Sequence, residues 1–220
     1  MGGHSGRLPN PSTVLLKDKA YRQIKEAIIH EEFKPGQFLS EKVLVDYLGM
    51  SKTPIKSALD RLETEGFITV WPKQGILVKE LSITKIKDIY ELRIALELLV
   101  CGNVTGKLTE EQCRRIEDNL SAQEAFARNN DEIGFTKADA DFHLLLCEFS
   151  GNTEIYQIMC NYQAHLYRFA LAVMRRVSGR MAASLEDHRE IYREMEEGNT
   201  DKVQELMRNH LIYGLNAHVR

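Results

Sequence analysis

The sequence predicts a mainly α-helical fold in two parts: three helices with a β-hairpin at the N-terminus, then an antiparallel bundle of about six helices. Apolar residues recur at helical spacing along most of the 220 residues, and the strand-like stretches lie between residues 68 and 78. A chain of this length has room for a small domain and a larger one. The sequence therefore indicates two helical domains of unequal size.

Residues 39–68 are predicted to form two short amphipathic helices joined by a tight turn. Gly49 suits the left-handed residue that ends the first helix, and Ser51 can cap the N–H groups of the second. Pro54 is tolerated in the first turn of the second helix, and Gly66 ends that helix. Each helix has an apolar stripe, so the two are expected to share a core. The stripes consist of Val43, Leu44, Tyr47 and Leu48 in the first helix and of Ile55, Ala58, Leu59 and Leu62 in the second.

The second of these helices has a basic outer face near its start. Lys52 and Lys56 lie one turn apart, with Ser51 and Thr53 at the exposed N-terminal end, an arrangement that suits phosphates and the major groove of DNA. Two lysines alone are more often an ordinary solvated surface, with Lys56 paired to Asp60 four residues on. The segment that follows decides between these interpretations.

That segment is predicted to be a β-hairpin. Residues 68–70 and 76–78 form the strands, and the tip between them contains Lys73. Two helices around a tight turn, followed by a hairpin, form a winged helix-turn-helix, which is far more specific than any of its parts. The combination predicts DNA binding.

The charge distribution agrees with this prediction. The formal net charge is −3, but residues 1–78 contain 11 Lys and Arg against 9 Asp and Glu, while the remainder contains 18 against 23. The positive charge is therefore concentrated where DNA is expected, although mildly. Recognition of a DNA sequence would depend on where the charges lie, since the basic field is small.

The cysteine pattern and the hydropathy favour a cytoplasmic protein. Cys101, Cys113, Cys147 and Cys160 are widely spaced, form no C-x-x-C motif and mostly fall in helical patterns, so they are interpreted as reduced core thiols. No apolar run approaches 18 residues, and the N-terminus lacks the apolar core of a secretion signal. We expect no membrane partner.

Domain boundaries follow from composition and helix signals. Residues 1–14 are interpreted as a flexible arm or a cloning remnant, residues 15–78 as the winged helix-turn-helix domain, residues 79–84 as a linker and residues 85–220 as the helical domain. Thr109 and Gln112 form a potential capping box within the helical domain. Its helices are predicted at about 84–104, 109–128, 131–149, 153–177, 180–197 and 200–217.

Three helices of the second domain each place an imidazole on an inward stripe. The helix at 131–149 contributes His143, with Asp139 one turn before it, and the last two helices contribute His188 and His210. A single inward His is more often a hydrogen-bonded core residue than a metal ligand. Four buried polar groups need partners, however, and one divalent cation would satisfy all of them.

Arg93 lies on an apolar stripe of the first helix of the bundle. Its guanidinium would suit a carboxylate ligand, and an internal ion pair with Glu97, four residues on, is an equally good interpretation of the spacing. His165 is similarly placed on the fourth helix, where simple packing is the better interpretation. The pattern alone leaves both alternatives for Arg93 open.

Residues 39–68 resemble the winged helix-turn-helix of the GntR family of bacterial transcription regulators, whose pattern S-E-x-x-L-x-x-x-L-G-x-S-x-T-P-[VI]-[RK]-x-A-L-x-x-L-x-x-E-G they follow nearly throughout. The resemblance implies a first helix at Lys19–Ile29 and binding of a double-stranded operator as a homodimer. Lysine stands at positions 42, 52 and 56, where many relatives have Arg, and it lacks the bidentate fork that reads guanine. The DNA-contacting positions implied by the resemblance are Lys42, Ser51, Lys52, Thr53, Lys56, Lys73, Gln74 and Gly75.

The region from about 84 to 217 resembles the all-helical effector domain of the FadR-like branch of this family, the FCD domain. The signature D-x-x-[FY]-H-x-x-[LI] occurs at residues 139–146, and the family's S-G-N follows at 150–152. The resemblance implies that Arg93 lies beside an effector cavity and that a divalent metal ion is bound, zinc in the first place, with nickel or manganese as alternatives. The metal ligands that it implies are Asp139, His143, His188 and His210.

The sequence thus predicts a transcription regulator, expected to be a repressor, whose operator affinity is controlled by a small carboxylic acid bound at a metal site. Asp and three imidazoles leave coordination positions open on a six-coordinate ion, where the acid could bind. One alternative is a metalloenzyme that uses the same four ligands, although no evident nucleophile or general base accompanies them. The other is a regulator whose metal is purely structural or absent.

Overall fold

The computed structural model describes the backbone of residues 11–217 and the side chains from residue 15 onwards. The described residues fall into two compact units that divide between Leu81 and Ser82. The first unit contains three helices and a small sheet, and the second contains helices throughout. The predicted fold class, mainly α with a β-hairpin wing, is confirmed.

The first unit contains helices α1 (Pro11–Ile29), α2 (Glu41–Leu48) and α3 (Lys52–Glu65). Helix α1 begins at Pro11 instead of Lys19, so residues 11–14, which we assigned to a flexible arm, are helical. Proline is well tolerated in a first turn because its missing N–H has no intrahelical partner there. The rest of the predicted arm, residues 1–10, lies outside the described residues.

The sheet of the first unit has three antiparallel strands: β1 (Phe38–Leu39), β2 (Ile68–Trp71) and β3 (Gly75–Val78). The strand order is β1-β3-β2, with Leu39 opposite Ile76 and Val70 also opposite Ile76 on the other side. The hairpin of β2 and β3 is confirmed. Strand β1 was not predicted, because two residues are too few to show the alternation of apolar and polar side chains that marks a strand.

The helix-turn-helix has the predicted core in α3 but only partly in α2. The α3 stripe is buried, whereas in α2 only Leu44 is buried, and Val43 and Tyr47 are about half exposed. The Tyr47 ring lies 5.0 Å from the Phe33 ring, and its hydroxyl donates a 2.7 Å hydrogen bond to Glu32. Tyr47 therefore covers the loop after α1 and is not a core residue.

Glycine ends both helices of this motif, as predicted. Gly49 and Gly66 adopt left-handed conformations with φ of 62° and 85°. Ser51 occupies the N-cap position of α3, but its side chain makes no capping hydrogen bond, so the predicted cap is wrong. Ser40 does cap α2, since its Oγ accepts a 3.2 Å hydrogen bond from the N–H of Val43.

The second unit is a bundle of six helices, close to the predicted positions. The capping box of Thr109 and Gln112 is confirmed, and Asp131 and Asn152 cap the next two helices. Helix α6 packs against α5, α7 and α4, which places it at the centre of the bundle. The helices are α4 (Ile83–Val104), α5 (Glu110–Arg128), α6 (Glu132–Phe149), α7 (Thr153–Arg176), α8 (Arg180–Glu196) and α9 (Thr200–Asn216).

The four cysteines are free thiols with unequal exposure. Cys101 and Cys147 are buried, as predicted for core thiols, whereas Cys113 is half-buried and Cys160 is exposed. The prediction is therefore wrong for Cys160, which lies on an outer face of α7. Within residues 11–217, no helix combines the length and the apolar character that crossing a membrane requires.

Candidate functional site

The predicted DNA-contacting residues of α3 lie at its exposed start. Ser51, Lys52, Thr53 and Lys56 are exposed, while Pro54 and Ile55 between them are buried against the core. Lys52 Nζ lies 3.4 Å from a Glu41 carboxylate oxygen. Among the described residues Lys56 forms no ion pair, so the alternative pairing with Asp60 does not occur. Lys56 is thus available to a phosphate.

Lys42 is exposed on the first turn of α2, next to Glu41. The wing places Lys73 and Gln74 at an exposed turn, closed by a 3.1 Å hydrogen bond from the N–H of Gln74 to the carbonyl of Trp71. Lys73 has a φ of 64°, and Gly75 follows with a φ of 122°. The wing tip therefore presents a lysine in the left-handed conformation that this tight turn requires.

In the second unit the four predicted metal ligands converge. Asp139 and His143 lie on α6, His188 on α8 and His210 on α9, and all four side chains are buried. Each residue offers one ligand atom, and these four atoms lie within 4.8 Å of one another. Helix periodicity placed each residue inward, and the packing of three helices brings them to one point.

His188 has its tautomer fixed by a chain of side-chain amides. Asn119 donates a 2.9 Å hydrogen bond to the backbone carbonyl of Ala138, which can only accept, and Gln123 donates a 2.7 Å bond to the Asn119 oxygen. The Gln123 oxygen then accepts from His188 Nδ1 at 2.9 Å. Because Nδ1 must be the protonated nitrogen, Nε2 of His188 keeps its lone pair.

The other two imidazoles are held in the same way by carboxylates. His143 Nδ1 donates to Glu97 at 2.5 Å, and His210 Nδ1 donates to Asp187 at 3.0 Å. A hydrogen bond from the far nitrogen to a carboxylate or a carbonyl is the usual support of a metal-bound histidine. All three Nε2 atoms are therefore left as lone-pair donors.

Two observations show that these Nε2 atoms lack a positive partner. Nε2 of His188 and Nε2 of His210 lie only 3.2 Å apart, although each is an acceptor in this tautomer. Nε2 of His143 is buried, and among the described residues it has no hydrogen-bond partner. A cation between the three nitrogens would remove both defects, so the residues fit a metal ion.

Burial favours the neutral imidazole at two of the three histidines, because it lowers the pKa of His188 and of His210. Burial lowers the pKa of His188 well below its ordinary value, and His210 and His143 act in the same direction. Burial also lowers the pKa of His210, against the opposing effect of its hydrogen bond to Asp187. Neutral imidazole is the form that ligates metals.

Asp139 completes the donor set. Its Oδ1 accepts a 2.9 Å hydrogen bond from Ser184 and lies 3.7 Å from His188 Nε2. The Phe142 ring stacks on the His188 ring with centroids 4.2 Å apart, which fixes the plane of that imidazole. The donor set is thus one carboxylate and three imidazoles, each held in place by a second residue.

One of the two interpretations of Arg93, the internal ion pair with Glu97, is confirmed, and binding of a carboxylate ligand stays a prediction. Arg93 Nε donates to Glu97 at 2.5 Å, so the internal pair exists, and its side chain also lines two small cavities beside Asp139. Burial alone would raise the pKa of Glu97, but Arg93 and His143 outweigh it and hold that pKa at about 2. Glu97 is therefore an anion that joins Arg93 to His143, one of the candidate metal ligands.

The two cavities are small. Each has a volume of about 20 Å³, which is room for a single water molecule. The first lies between α4, α6 and α7 and is lined by Arg93, Asp139 and His143; the second is lined by Arg93, Asp139, His210 and Arg180 among others. His165 is buried and lines neither cavity, and its Nε2 lies 3.3 Å from Lys85 Nζ.

Helix periodicity did not reveal the residues that hold the four candidate metal ligands in place. Gln123, Ser184 and Asp187 had no assigned role, and Glu97 was considered only as a partner of Arg93. Gln123 and Ser184 are completely buried, on the inward faces of α5 and α8. The sequence did contain a signal for these two residues, since each is a polar residue on an apolar stripe. Ser184 also lies one turn before His188.

A winged helix-turn-helix with exposed lysines, followed by a helical unit with a buried polar centre, defines a DNA-binding transcription regulator. Comparison with protein families agrees with this class. The model of bacterial regulatory proteins of the gntR family matches residues 16–78, and the FCD domain model matches residues 88–212. The chain belongs to the GntR family of bacterial regulators and has an FCD domain.

Individual relatives extend this assignment. An HTH-type transcriptional regulator of Streptomyces ambofaciens is 30% identical over 192 residues, covering 87% of this chain and 80% of the relative. The HTH-type transcriptional repressor RspR of Escherichia coli is 27% identical over 202 residues, covering 92% and 88%. These relatives are regulators, which argues against the metalloenzyme alternative.

Solved structures share the fold at low sequence identity. The crystal structure of a putative GntR transcriptional regulator from Rhodococcus sp. RHA1 has a TM-score of 0.79 and 20% identity, covering 92% of this chain and 97% of that one. Escherichia coli McbR/YncC has a TM-score of 0.77 and 18% identity, covering 93% and 99%.

Proposed function

We propose that this regulator senses a small carboxylic acid through a divalent metal ion in its helical domain and adjusts its affinity for operator DNA accordingly. The observation that supports this most strongly is the convergence of Asp139 with three imidazoles whose Nδ1 atoms are all engaged elsewhere. A set of hydrogen-bonded core histidines would not leave two acceptor nitrogens 3.2 Å apart.

His143, His188 and His210 would hold the ion through Nε2, and Asp139 through a carboxylate oxygen. When bound, the ion supplies a Lewis acid with open coordination positions for a carboxylate. Zinc suits the three imidazoles best, with nickel or manganese as alternatives. Arg93 contributes a guanidinium on the cavity side of Asp139, where it would form charge-assisted hydrogen bonds to the acid.

A carboxylic acid is too large for a 20 Å³ cavity, so its binding must displace side chains around Arg93 and Asp139. A ligand that favours the expanded form of the bundle shifts the population towards that form. The difference in ligand-binding free energy between the expanded and the unexpanded bundle sets how far the ligand can change operator affinity.

Lys42, Ser51, Lys52, Thr53, Lys56 and the wing residues Lys73, Gln74 and Gly75 are the proposed DNA contacts. A homodimer would place two α3 helices on half-sites one helical turn apart. We propose a repressor in the bacterial cytoplasm, and the relative RspR, named a transcriptional repressor, supports that direction.

The test is operator binding by the full-length protein, with DNA selected from a random pool by the purified protein. Affinity is measured with metal-loaded and metal-stripped protein, with and without small carboxylic acids. We expect at least one acid to change affinity ~10-fold, and only in the loaded protein. If no acid changes DNA affinity in either form, the sensor proposal is wrong.

Lysine variants test the DNA face in the same assay. Lys56→Ala should weaken binding and reduce the dependence of log affinity on log salt concentration by about one. Lys202→Ala, an exposed lysine in the helical domain, is the matched control. Equal affinities for the Lys56 and Lys202 variants would contradict the proposed interface.

A purely structural metal is the second candidate, and the small size of the cavities favours it. Operator binding in the presence of the small carboxylic acids distinguishes a sensory metal from a structural one. A structural ion would raise thermal stability without making DNA affinity sensitive to any acid.

A further inference from the structure

Arg180 is a buried cation without adequate compensation. Only 4% of the residue is exposed, and it is the first residue of α8, whose first turn contains no acidic residue. A cation is unfavourable at this end of a helix because the helix dipole presents partial positive charge there. The sequence therefore keeps a charge where both burial and the dipole oppose it.

The neighbours of Arg180 compensate its charge only weakly. The nearest carboxylate oxygen in the described part of the chain belongs to Asp187, 3.7 Å from Nη1, and Asp187 already accepts the hydrogen bond of His210. The guanidinium also lies over the Tyr213 ring, 4.7 Å from its centroid. Arg93, by contrast, has a carboxylate at 2.5 Å. Arg180 thus has donors to spare for an anion.

Arg180 also separates an inner cavity from an outer groove. On the inside it lines the small cavity that contains Arg93, Asp139 and His210. On the outside it lines a groove of about 300 Å³, together with Asp187 and Tyr213. A ligand that reaches Asp139 from the outer groove passes Arg180, so the part of the ligand that remains in the groove lies next to Arg180.

The charges around the inner cavity favour a ligand with two anionic groups. Glu97 neutralises Arg93 in part, Asp187 neutralises Arg180 in part, and a divalent ion adds two positive charges against Asp139. One monocarboxylate would engage the ion and Arg93 but leave Arg180 unsatisfied. We propose that Arg180 binds a second carboxylate, so that the effector is a short dicarboxylic acid; this inference rests on the proposed function of the metal site.

The experiment is calorimetric titration of the metal-loaded full-length protein with length-matched acids. Malonate, succinate, glutarate and adipate are compared with propionate, butyrate, pentanoate and hexanoate. We expect at least one dicarboxylate to bind ~10-fold more tightly than its matched monocarboxylate, as expected for one added charge-assisted contact. Metal-stripped protein is titrated in parallel.

Two variants assign that preference to Arg180. In Arg180→Gln the dicarboxylate should lose its advantage, while monocarboxylate affinity changes less than ~3-fold. Arg180→Lys, which keeps the charge without the fork, should retain an intermediate preference. Arg189→Gln is the control, since Arg189 lies on the same helix but pairs with Glu124 on the surface. Helix content and metal content are checked for each variant.

The outcomes separate the two proposals. Equal affinity for matched mono- and dicarboxylates, or an equal loss of both in Arg180→Gln, would overturn the role of Arg180 and leave the metal sensor intact. A dicarboxylate preference that depends on Arg180 but persists in stripped protein would support Arg180 and refute the metal as the sensor. If no acid binds, both proposals are wrong.

Discussion

At the scale of single residues, the tautomers of three histidines define the site. Hydrogen bonds from Nδ1 to Glu97, Gln123 and Asp187 leave each Nε2 free, and Gln123 is itself oriented through Asn119. An imidazole whose tautomer is fixed in advance loses less freedom on binding a metal. The affinity of the site for the proposed ion should therefore depend on residues that do not contact it.

Replacement of Gln123 tests this dependence. Gln123→Met keeps the side-chain volume but removes the acceptor for His188 Nδ1, so metal affinity should fall about 10- to 100-fold. The measurement is competition with a chelator of known affinity. Gln204→Met, which removes a hydrogen bond to the carbonyl of Leu98, is the matched control and should bind metal normally. Equal metal affinity of the Gln123 and Gln204 variants would show that Gln123 does not fix the tautomer of His188.

At the scale of secondary-structure elements, two attachments hold the DNA-binding unit together. Helix α1 is fixed to the end of α3 because Glu65 accepts hydrogen bonds from Tyr21 at 2.7 Å and from Lys25 at 2.7 Å. The wing is fixed to the helices through β1, which pairs with β3. Both attachments join segments that are distant in the sequence, and each can be tested with one substitution.

The first attachment should depend on pH. Burial would raise the pKa of Glu65, but its hydrogen bonds to Lys25 and Tyr21 lower it below the ordinary value. Since the folded-state pKa is the lower one, the stabilisation is fully present above the unfolded-state pKa of about 4.3 and is lost as the pH falls through the folded value. Glu65→Gln should therefore cost about 1 kcal/mol at neutral pH and progressively less below pH ~4.

Denaturant titrations across this pH range provide the measurement. The only tryptophan, Trp71, lies on β2, so its fluorescence reports on this unit. Asp46→Asn, which removes an exposed carboxylate on α2, is the control. A stability difference between wild type and Glu65→Gln that stays constant from pH 7 to pH 3 would contradict the assignment.

The second attachment depends on Gly75. Its φ of 122° is strained for other residues, and a Cβ there would lie 2.7 Å from the carbonyl oxygen of Leu39 on β1. Gly75→Ala should lower the free energy of unfolding by roughly 3 kcal/mol, as measured by Trp71 fluorescence. Gly49→Ala, with a φ of 62° and open space around the added Cβ, should cost only about 1 kcal/mol. Equal losses would show that the contact with Leu39 is unimportant.

At the scale of the whole molecule, the chain has two compact units with separate means of stabilisation. The first has an apolar core and an exposed basic helix, whereas the second buries four ligand groups and several charged residues at its centre. Buried polar groups without partners are costly, so the stability of the second unit should depend on the proposed metal ion far more than that of the first.

Metal removal should therefore affect the units unequally. At a metal concentration ~1,000 times the dissociation constant, binding stabilises the folded bundle by about 4 kcal/mol. Stripping the ion should lower the melting transition seen by helical circular dichroism and leave the Trp71 fluorescence transition nearly unchanged. Re-addition of the metal should restore the melting transition that is seen by circular dichroism. Equal shifts in both signals would refute independent stabilisation, and no shift in either would refute a bound metal.

Much of the fold and site could be predicted because the determining signals are local. The six helices of the bundle follow from periodicity and from caps such as Thr109 with Gln112, and the inward position of the four ligands follows from helix geometry. Strand β1 could not be predicted, since it exists only because Phe38 and Leu39 pair with a distant strand. The exposure of Tyr47 and Cys160 likewise depends on packing against other elements.

The sequence by itself determined which side chains are present on each inward face, and therefore the family, the two-domain organisation and the composition of the polar centre. Only the tertiary structure decided which partners those side chains have. His188 obtains its tautomer from Gln123, 65 residues away, and Asp187 is shared by His210 and Arg180. The physical reason is that helix periodicity fixes the direction of a side chain, whereas its hydrogen bonds and charges depend on neighbours that only folding brings together.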